Sequence, residues 1–333
     1  MFPQCLDTAF DRVLLTRITD SEYRSASFLD QRILSGQRWR QWVSWQALEG
    51  ATGSLAAGAD FIFHIGHVGS TLVSRLLGEL DEVFALREPQ LLRDFADVDA
   101  VRATPESPWP PELFEPRLNI ALGWLSRCFD ARQRALIKAT SFVGEIAAPM
   151  LRSGGKALFL YVAPGRFMET ILAGENSRLE LAVMARSRLA RLHKRLGRDH
   201  WKLWELTEAE RIAMAWACEM TALESTAAGL GDGRVMWLDF DVFLLDPADS
   251  LRKIADFFGY DLDADRSAAL TRGPIMQSYS KAPEHAYSPQ LRAQVLAQAR
   301  HDLGADIDRA LDWLNGAGQR ANMIDQALRR ATG

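Results

Sequence analysis

Cysteine is scarce in this chain: Cys5, Cys128 and Cys218 are the only three in 333 residues, and no two form a Cys-x-x-Cys pair. That spacing excludes a disulfide framework and a cysteine-rich zinc site, and leaves free, mostly buried thiols as the expectation. No run of about 18 apolar residues occurs, so no membrane-spanning helix is expected. The opening stretch MFPQCLDTAFDRVLL contains acidic residues and lacks a basic start followed by an apolar run. A signal peptide is therefore not expected, and the cytoplasm is the default compartment. An excess of one charge sign is missing too. The net charge is -4, which argues against a general affinity for nucleic acid, although a local basic patch stays open. Internal repeats and low-complexity tracts are absent.

What is present is ordinary for a globular protein: 48% hydrophobic and 25% charged residues. A chain of this length buries a sizeable core without staples. Strand patterns at 60–65, 83–86, 134–138, 156–162 and 234–239 alternate with helical ones. This predicts the α/β class: a mainly parallel central sheet flanked by helices, a three-layer sandwich like that of P-loop NTPases, with extra helices. The most apolar strand is KALFLYV, Lys156–Val162, as expected for a central parallel strand. Residues 102–116 carry five prolines and read as loop, followed by a helix over 118–130. Long helices are expected over 178–196 and 207–230. Asp246-Pro247 opens another that ends at Gly259. No domain boundary is evident, so residues 1–333 read as one domain: a helical N-terminal extension (1–58), a nucleotide-binding core (60–260) and a helical C-terminal extension (261–333). In the first part Trp39, Trp42 and Trp45 fall three apart, which places them on or near one helix face, packed on the core or lining a substrate. Gly50 to Gly58 reads as a loop of small residues.

The chemistry concentrates in FIFHIGHVGSTLVSRLL, Phe61–Leu77. A phosphate needs several donors converging in a small space. Backbone N–H groups at a helix N-terminus supply them, and the helix dipole favours the negative charge. Gly66-His67-Val68-Gly69-Ser70-Thr71 combines glycines, hydroxyls and a following helix, directly after a strand. The lysine of a Walker A loop is missing, because no Gly-Lys-Ser/Thr occurs there. An ordinary tight turn is the plainer alternative. His64 and His67 form a His-x-x-His pair, but no third ligand stands at suitable spacing, so no metal is expected. His67, inside the turn, reads instead as a donor to an anion.

At this point the loop resembles that of the sulfotransferase superfamily, its bacterial members included, which binds 3′-phosphoadenosine 5′-phosphosulfate (PAPS) through a loop of the type Pro-Lys/Arg-Ser-Gly-Ser/Thr-Thr. Gly69, Ser70 and Thr71 match the part that grips the 5′-phosphosulfate. His67 stands where the family has Lys or Arg, and imidazole is fully cationic only well below a pKa of about 6.5. Three further stretches carry the resemblance. Glu88, in ALREPQLLR, matches the family's general base, the group that takes the proton released by an attacking hydroxyl. Without the resemblance it reads as a surface salt-bridge residue. Lys138, in IKATS, matches a lysine that neutralises charge on the departing oxygen; it also reads as an exposed strand end. In LFLYVAPGRFMETIL, Val162 and Thr170 occupy the places of the family's 3′-phosphate Arg and Ser. Arg166 is the near substitute, and the seven Lys or Arg within 186–202 are a further source, or else a solvated helix face. Trp237-Leu238-Asp239-Phe240-Asp241 with Asp246-Pro247 and Phe257-Phe258-Gly259 is a fold marker, and Tyr279-Ser280-Lys281 a weaker echo.

The resemblance implies a PAPS-dependent transferase without a metal, acting on a small-molecule or carbohydrate acceptor through a hydroxyl or amine. Glu88, Lys138 and His67 would be its catalytic residues. Residues 66–71, Thr170 and Arg166 would hold the donor. Two other readings stay open: a small-molecule kinase, for which Asp239 is the sole late strand-end carboxylate, and a descendant of the fold that binds a phosphonucleotide without catalysis. The acceptor's identity and the oligomeric state are not legible.

Overall fold

The computed structural model describes residues 1–34, 36, 38–52, 58–152, 154–277 and 288–332. Five strands form a parallel sheet: β4 (Ala59–His64), β5 (Val83–Arg87), β6 (Arg134–Lys138), β7 (Ala157–Tyr161) and β8 (Val235–Asp239), in the order β5-β6-β4-β7-β8. Three more, β1 (Phe2–Asp7), β2 (Arg12–Thr16) and β3 (Arg40–Ser44), form a separate antiparallel sheet. Every residue of β4 is buried, so its alternating side chains meet cover on both faces of the sheet. Phe63 and Phe159 pack edge to face across β4 and β7, and both are fully buried. Each such ring contributes about 2–3 kcal/mol by leaving water.

The five sheet strands fall where hydrophobic pattern places them. So does the helix Pro247–Phe258, whose N-cap Asp246 accepts from the Asp249 N–H at 3.1 Å, with Pro247 in the first turn. The long helices Glu175–Leu196 and Glu208–Ala228 are present as expected, the second opened by a Thr207/Glu210 capping box. The C-terminal part is helical over Ala264–Arg272, Pro289–Arg320 and Asn322–Thr332. Tyr279-Ser280-Lys281 lies outside the described residues.

The N-terminal extension differs from expectation. It is helical only in part: short helices at Asp20–Ser25, Gln31–Leu34 and Trp45–Thr52 alternate with the strands β1 to β3. The three-apart tryptophans mimic a helix period, but Trp42 lies in β3, opposite Leu14 of β2, while Trp45 starts the next helix. Trp45 is buried, whereas Trp39 and Trp42 are exposed, so the three share no packed face. Pairing between residues 12–16 and 40–44 is long-range, and helical periodicity carries no trace of it. Of the loop expected at Gly50 to Gly58, Gly50 and Ala51 continue the helix, and 53–57 lie outside the described residues. The proline-rich segment is shorter as a loop than expected. Its last prolines begin structure, with Pro111 opening a 3-10 turn that leads into the helix Phe114–Leu125.

Candidate active site

The strand order decides what meets at the carboxyl edge of the sheet. β6 lies between β5 and β4, so the ends of all three are adjacent. Lys138, the last residue of β6, is in register with Arg87 of β5 and Ile62 of β4. Glu88 follows Arg87, and the loop 66–71 follows β4. Ligands of open α/β sheets sit at this edge.

The loop has an unusual backbone. Gly66, His67 and Gly69 have φ of 92°, 53° and 67°. Left-handed residues next to right-handed ones turn successive N–H groups to one side, a concavity suited to anions. At Gly69 no other residue fits: an added Cβ would lie 2.0 Å from the Phe240 ring. Gly69 caps the helix Ser70–Leu77 without a side chain, and among the described residues nothing accepts from the N–H groups of Ser70 and Thr71. Val68 is fully buried and anchors the turn. His64 Nδ1 accepts from the Gly66 N–H at 3.0 Å, so this histidine shapes the loop from within.

Glu88 and Lys138 meet beside this loop. The Lys138 Nζ donates to the Glu88 carboxylate and, at 3.1 Å, to the Thr71 hydroxyl. The Glu88 N–H donates to the Lys138 carbonyl at 2.7 Å, binding the two residues a second time. Lys138 is fully buried rather than an exposed strand end, and the Glu88 side chain is 12% exposed. Glu88 has a φ of 52°, a left-handed conformation rare for a side chain of this kind. Such strain costs about 1–3 kcal/mol and persists where surrounding contacts enforce it, often at functional sites. Here the enforcing contacts are visible. The Leu29 N–H donates to the Arg87 carbonyl at 2.7 Å, and the Gln90 N–H donates to the Leu29 carbonyl at 3.2 Å.

That clamp brings in residues with no sequence signal. The Phe28 ring lies 5.6 Å from the Lys138 Nζ and 3.6 Å from the Arg32 guanidinium, close enough to attract both cations. Hydrogen bonds to Asp30 push the Arg32 pKa up, and the charges of Glu88 and Glu180 add to this. Phe28 thus reaches Lys138, and Arg32 feels the charges of Glu88 and Glu180, although loop and helix residues of such common types carry no motif.

His67 touches the helix behind the loop. Its Nδ1 is 3.4 Å from the Ser177 hydroxyl and its Nε2 3.4 Å from the Glu180 carboxylate, both on the helix Glu175–Leu196. Arg166 and Thr170 are also engaged elsewhere. Arg166 donates to Asp241 and Glu169 at 2.7 Å each, and the Thr170 hydroxyl donates to the Arg166 carbonyl one turn back. Asp241 is shared with Arg292 at 2.8 Å, a residue that sequence reasoning did not single out. Val162 is buried. The basic run 186–202 is a solvated face in part: Arg186, Lys194 and Arg198 are exposed, whereas Arg188, Arg191 and Arg195 turn inward to Glu145 and Glu219, and against the cost of burial Arg191 and Arg188 hold Glu219 below the usual carboxylate range. Asp239 caps the helix Phe240–Leu245 by accepting from the Asp241 N–H at 2.7 Å.

Solved structures similar to this chain include several sulfotransferases. The sulfotransferase domain of the curacin biosynthetic pathway is 13% identical, with a TM-score of 0.43, over 75% of this chain and 99% of that one. Sulfotransferase STF1 of Mycobacterium tuberculosis is 16% identical, with a TM-score of 0.42, over 77% of this chain and 79% of its own. Mouse sulfotransferase SULT7A1, complexed with PAP, is 14% identical, with a TM-score of 0.41, over 86% of this chain and 95% of its own. No protein-family model matches the sequence, and no curated protein does. Among the described residues no helix is long and apolar enough to cross a membrane.

Proposed function

We propose that this protein is a sulfotransferase that moves a sulfuryl group from PAPS to a hydroxyl or amine acceptor, with Glu88 as general base. The observation that carries the reading is the meeting of Glu88, Lys138 and Thr71 beside the loop 66–71, at the edge of the sheet. The residues present suit the phosphosulfate end of such a donor. The N–H groups of Ser70 and Thr71 and the two hydroxyls supply neutral donors, and Lys138 supplies the cation.

PAPS would provide the activated sulfur and a bisphosphate leaving group. This chain's residues would do the rest. Glu88 accepts the proton of the acceptor hydroxyl as its oxygen bonds to sulfur. Lys138, held between Thr71 and Glu88, balances the charge that develops on the oxygen released from sulfur. Its burial strengthens that interaction, because little water screens it. Phe28 and Arg32 wall the acceptor side. His67 would contribute only by turning away from Ser177 and Glu180, so its role as an anion donor rests on the resemblance alone.

Transfer of labelled sulfate from PAPS to a panel of phenols, alcohols, amines and sugars tests the proposal, with Glu88→Ala as the control. Absence of adenosine 3′,5′-bisphosphate binding by calorimetry would sink it. One observation favours a second reading, a descendant of the fold that binds a phosphonucleotide without transfer. Arg166 and Thr170, the residues expected at the 3′-phosphate, are both committed to internal partners. That reading predicts nucleotide binding with no transfer, in wild type and Glu88→Ala alike.

A further inference from the structure

Away from this site, a cavity of about 190 Å³ opens between β5, the helix Ser70–Leu77 and the segment Tyr23–Ala26. Its walls include Arg24, Arg75, Arg87, Tyr23, Phe84 and one carboxylate, Glu79, with Ile275 at one side. The helix that carries the phosphate loop at its start thus lines the cavity with Arg75, in its last turn.

Three guanidinium groups line this cavity, and the single carboxylate among the lining residues, Glu79, offsets their charge only in part and without a direct ion pair to Arg75 or Arg87. Arg24 is paired with Asp20 at 2.8 Å. Neither Arg75 nor Arg87 has a carboxylate within ion-pair distance among the described residues. Arg87 is 3% exposed. Its Nε donates to the Ala26 carbonyl at 2.6 Å, and one Nη donates to the Tyr23 and Arg24 carbonyls at 2.8 Å each. The other Nη donates to no described residue. Arg75 reaches only the Ser25 carbonyl, at 3.4 Å. Burial pushes the Arg87 guanidinium down to about 10; the charges of Arg75 and Arg24 add to the effect, and that of Glu79 opposes it. Both arginines remain cationic at neutral pH, desolvated and mutually repelling.

We propose that this cavity binds a small oxyanion, of the phosphate, sulfate or carboxylate class, between Arg75 and Arg87. An anion there would accept charge-assisted hydrogen bonds from the remaining Nη of Arg87, whose other three N–H groups are held by carbonyls, and from Arg75. The volume suits such a ligand, being below the roughly 300 Å³ typical of pockets for larger molecules. The site is distinct from the loop 66–71 and stands whether or not the chain transfers sulfuryl groups.

Calorimetric titration of the full chain with inorganic phosphate tests it, with sulfate and acetate in parallel arms to rank the anions. Wild type should bind phosphate at two places, the cavity and the loop. Arg75→Gln should lose the first, weakening it at least about tenfold, while Thr71→Val should weaken only the second. Ile275→Trp, which fills the cavity without touching an arginine, should act like Arg75→Gln and covers the case in which that variant does not fold. Phosphate binding unchanged in stoichiometry and affinity in Arg75→Gln or Ile275→Trp overturns the proposal, as does the absence of any phosphate binding by wild type at millimolar concentration.

Discussion

The Lys138 ammonium donates to the Glu88 carboxylate across fifty residues of sequence, and the Glu88 N–H returns a bond to the Lys138 carbonyl. Side chain and backbone together lock the pair, at the one place where Glu88 takes a left-handed φ.

Removing either partner should have unequal effects on stability. Glu88→Ala leaves a fully buried ammonium without its carboxylate, whereas Lys138→Met leaves a carboxylate that retains some access to water. Loss of one member of a buried pair costs about 3–5 kcal/mol. Glu88→Ala should approach that figure, and Lys138→Met should fall well below it. Urea unfolding of the single variants and of the double variant measures both costs and their coupling. Equal costs would contradict the burial difference.

The same pair should separate binding from turnover. Loss of a general base costs about 10²–10⁴-fold in rate. Glu88→Gln should therefore lose sulfuryl transfer by that factor while binding adenosine 3′,5′-bisphosphate as wild type does. Single-turnover assays with PAPS alongside calorimetry give the two numbers. A variant that keeps more than about a tenth of the rate removes Glu88 from the chemistry.

Gly69→Ala should destabilise the loop for two reasons. The added Cβ meets a left-handed φ of 67° and the Phe240 ring at 2.0 Å. Strain and overpacking of these kinds cost about 1–3 kcal/mol each. Thermal melting should drop accordingly. In a chain that already carries Phe240→Ala, the drop caused by Gly69→Ala should be smaller, because the ring is gone and only the backbone strain is left. If the drop is the same with and without the ring, the ring is not the obstacle.

Asp94 gives a pH signature. Burial raises its pKa from 3.8 to about 6, although it accepts from the Gln90 side chain and the Leu6 N–H. A raised carboxyl binds its proton more tightly in the folded state than in the unfolded one. Its contribution to stability is therefore greatest below about pH 3.8 and is lost as pH rises through about 6. Asp94→Asn should melt higher than wild type at pH 7, by on the order of 3 kcal/mol at most, with the advantage vanishing towards pH 4. Paired melts across that range measure it, and a lower melting point for Asp94→Asn at pH 7 would show that the ionised form is the stabilising one.

Arg166 should matter little to nucleotide affinity. Two carboxylates already neutralise it. Arg166→Gln should change binding of adenosine 3′,5′-bisphosphate by less than about threefold, under about 1 kcal/mol. A loss of tenfold or more would mean that the Asp241 pairing opens for the ligand.

Features that depend on near neighbours were legible in the chain alone. Hydrophobic runs placed the five strands of the large sheet, because a central parallel strand is apolar on both faces. Asp246-Pro247 placed a helix start, because capping is local. The glycines of 66–71 marked a tight turn into a helix for the same reason. Glu88 and Lys138 were legible only through resemblance, since an isolated Glu or Lys has no pattern of its own. Long-range packing settled everything else. The N-terminal sheet pairs residues far apart in the chain, and tryptophans three apart obscured it. The strand order β5-β6-β4 put Glu88, Lys138 and Thr71 in contact, and docking of a distant segment set Phe28 and Arg32 beside them. Carboxylates from other elements claimed Arg166, Arg188, Arg191 and Arg195. Which cation meets which carboxylate depends on how helices pack, and spacing along one chain does not encode that.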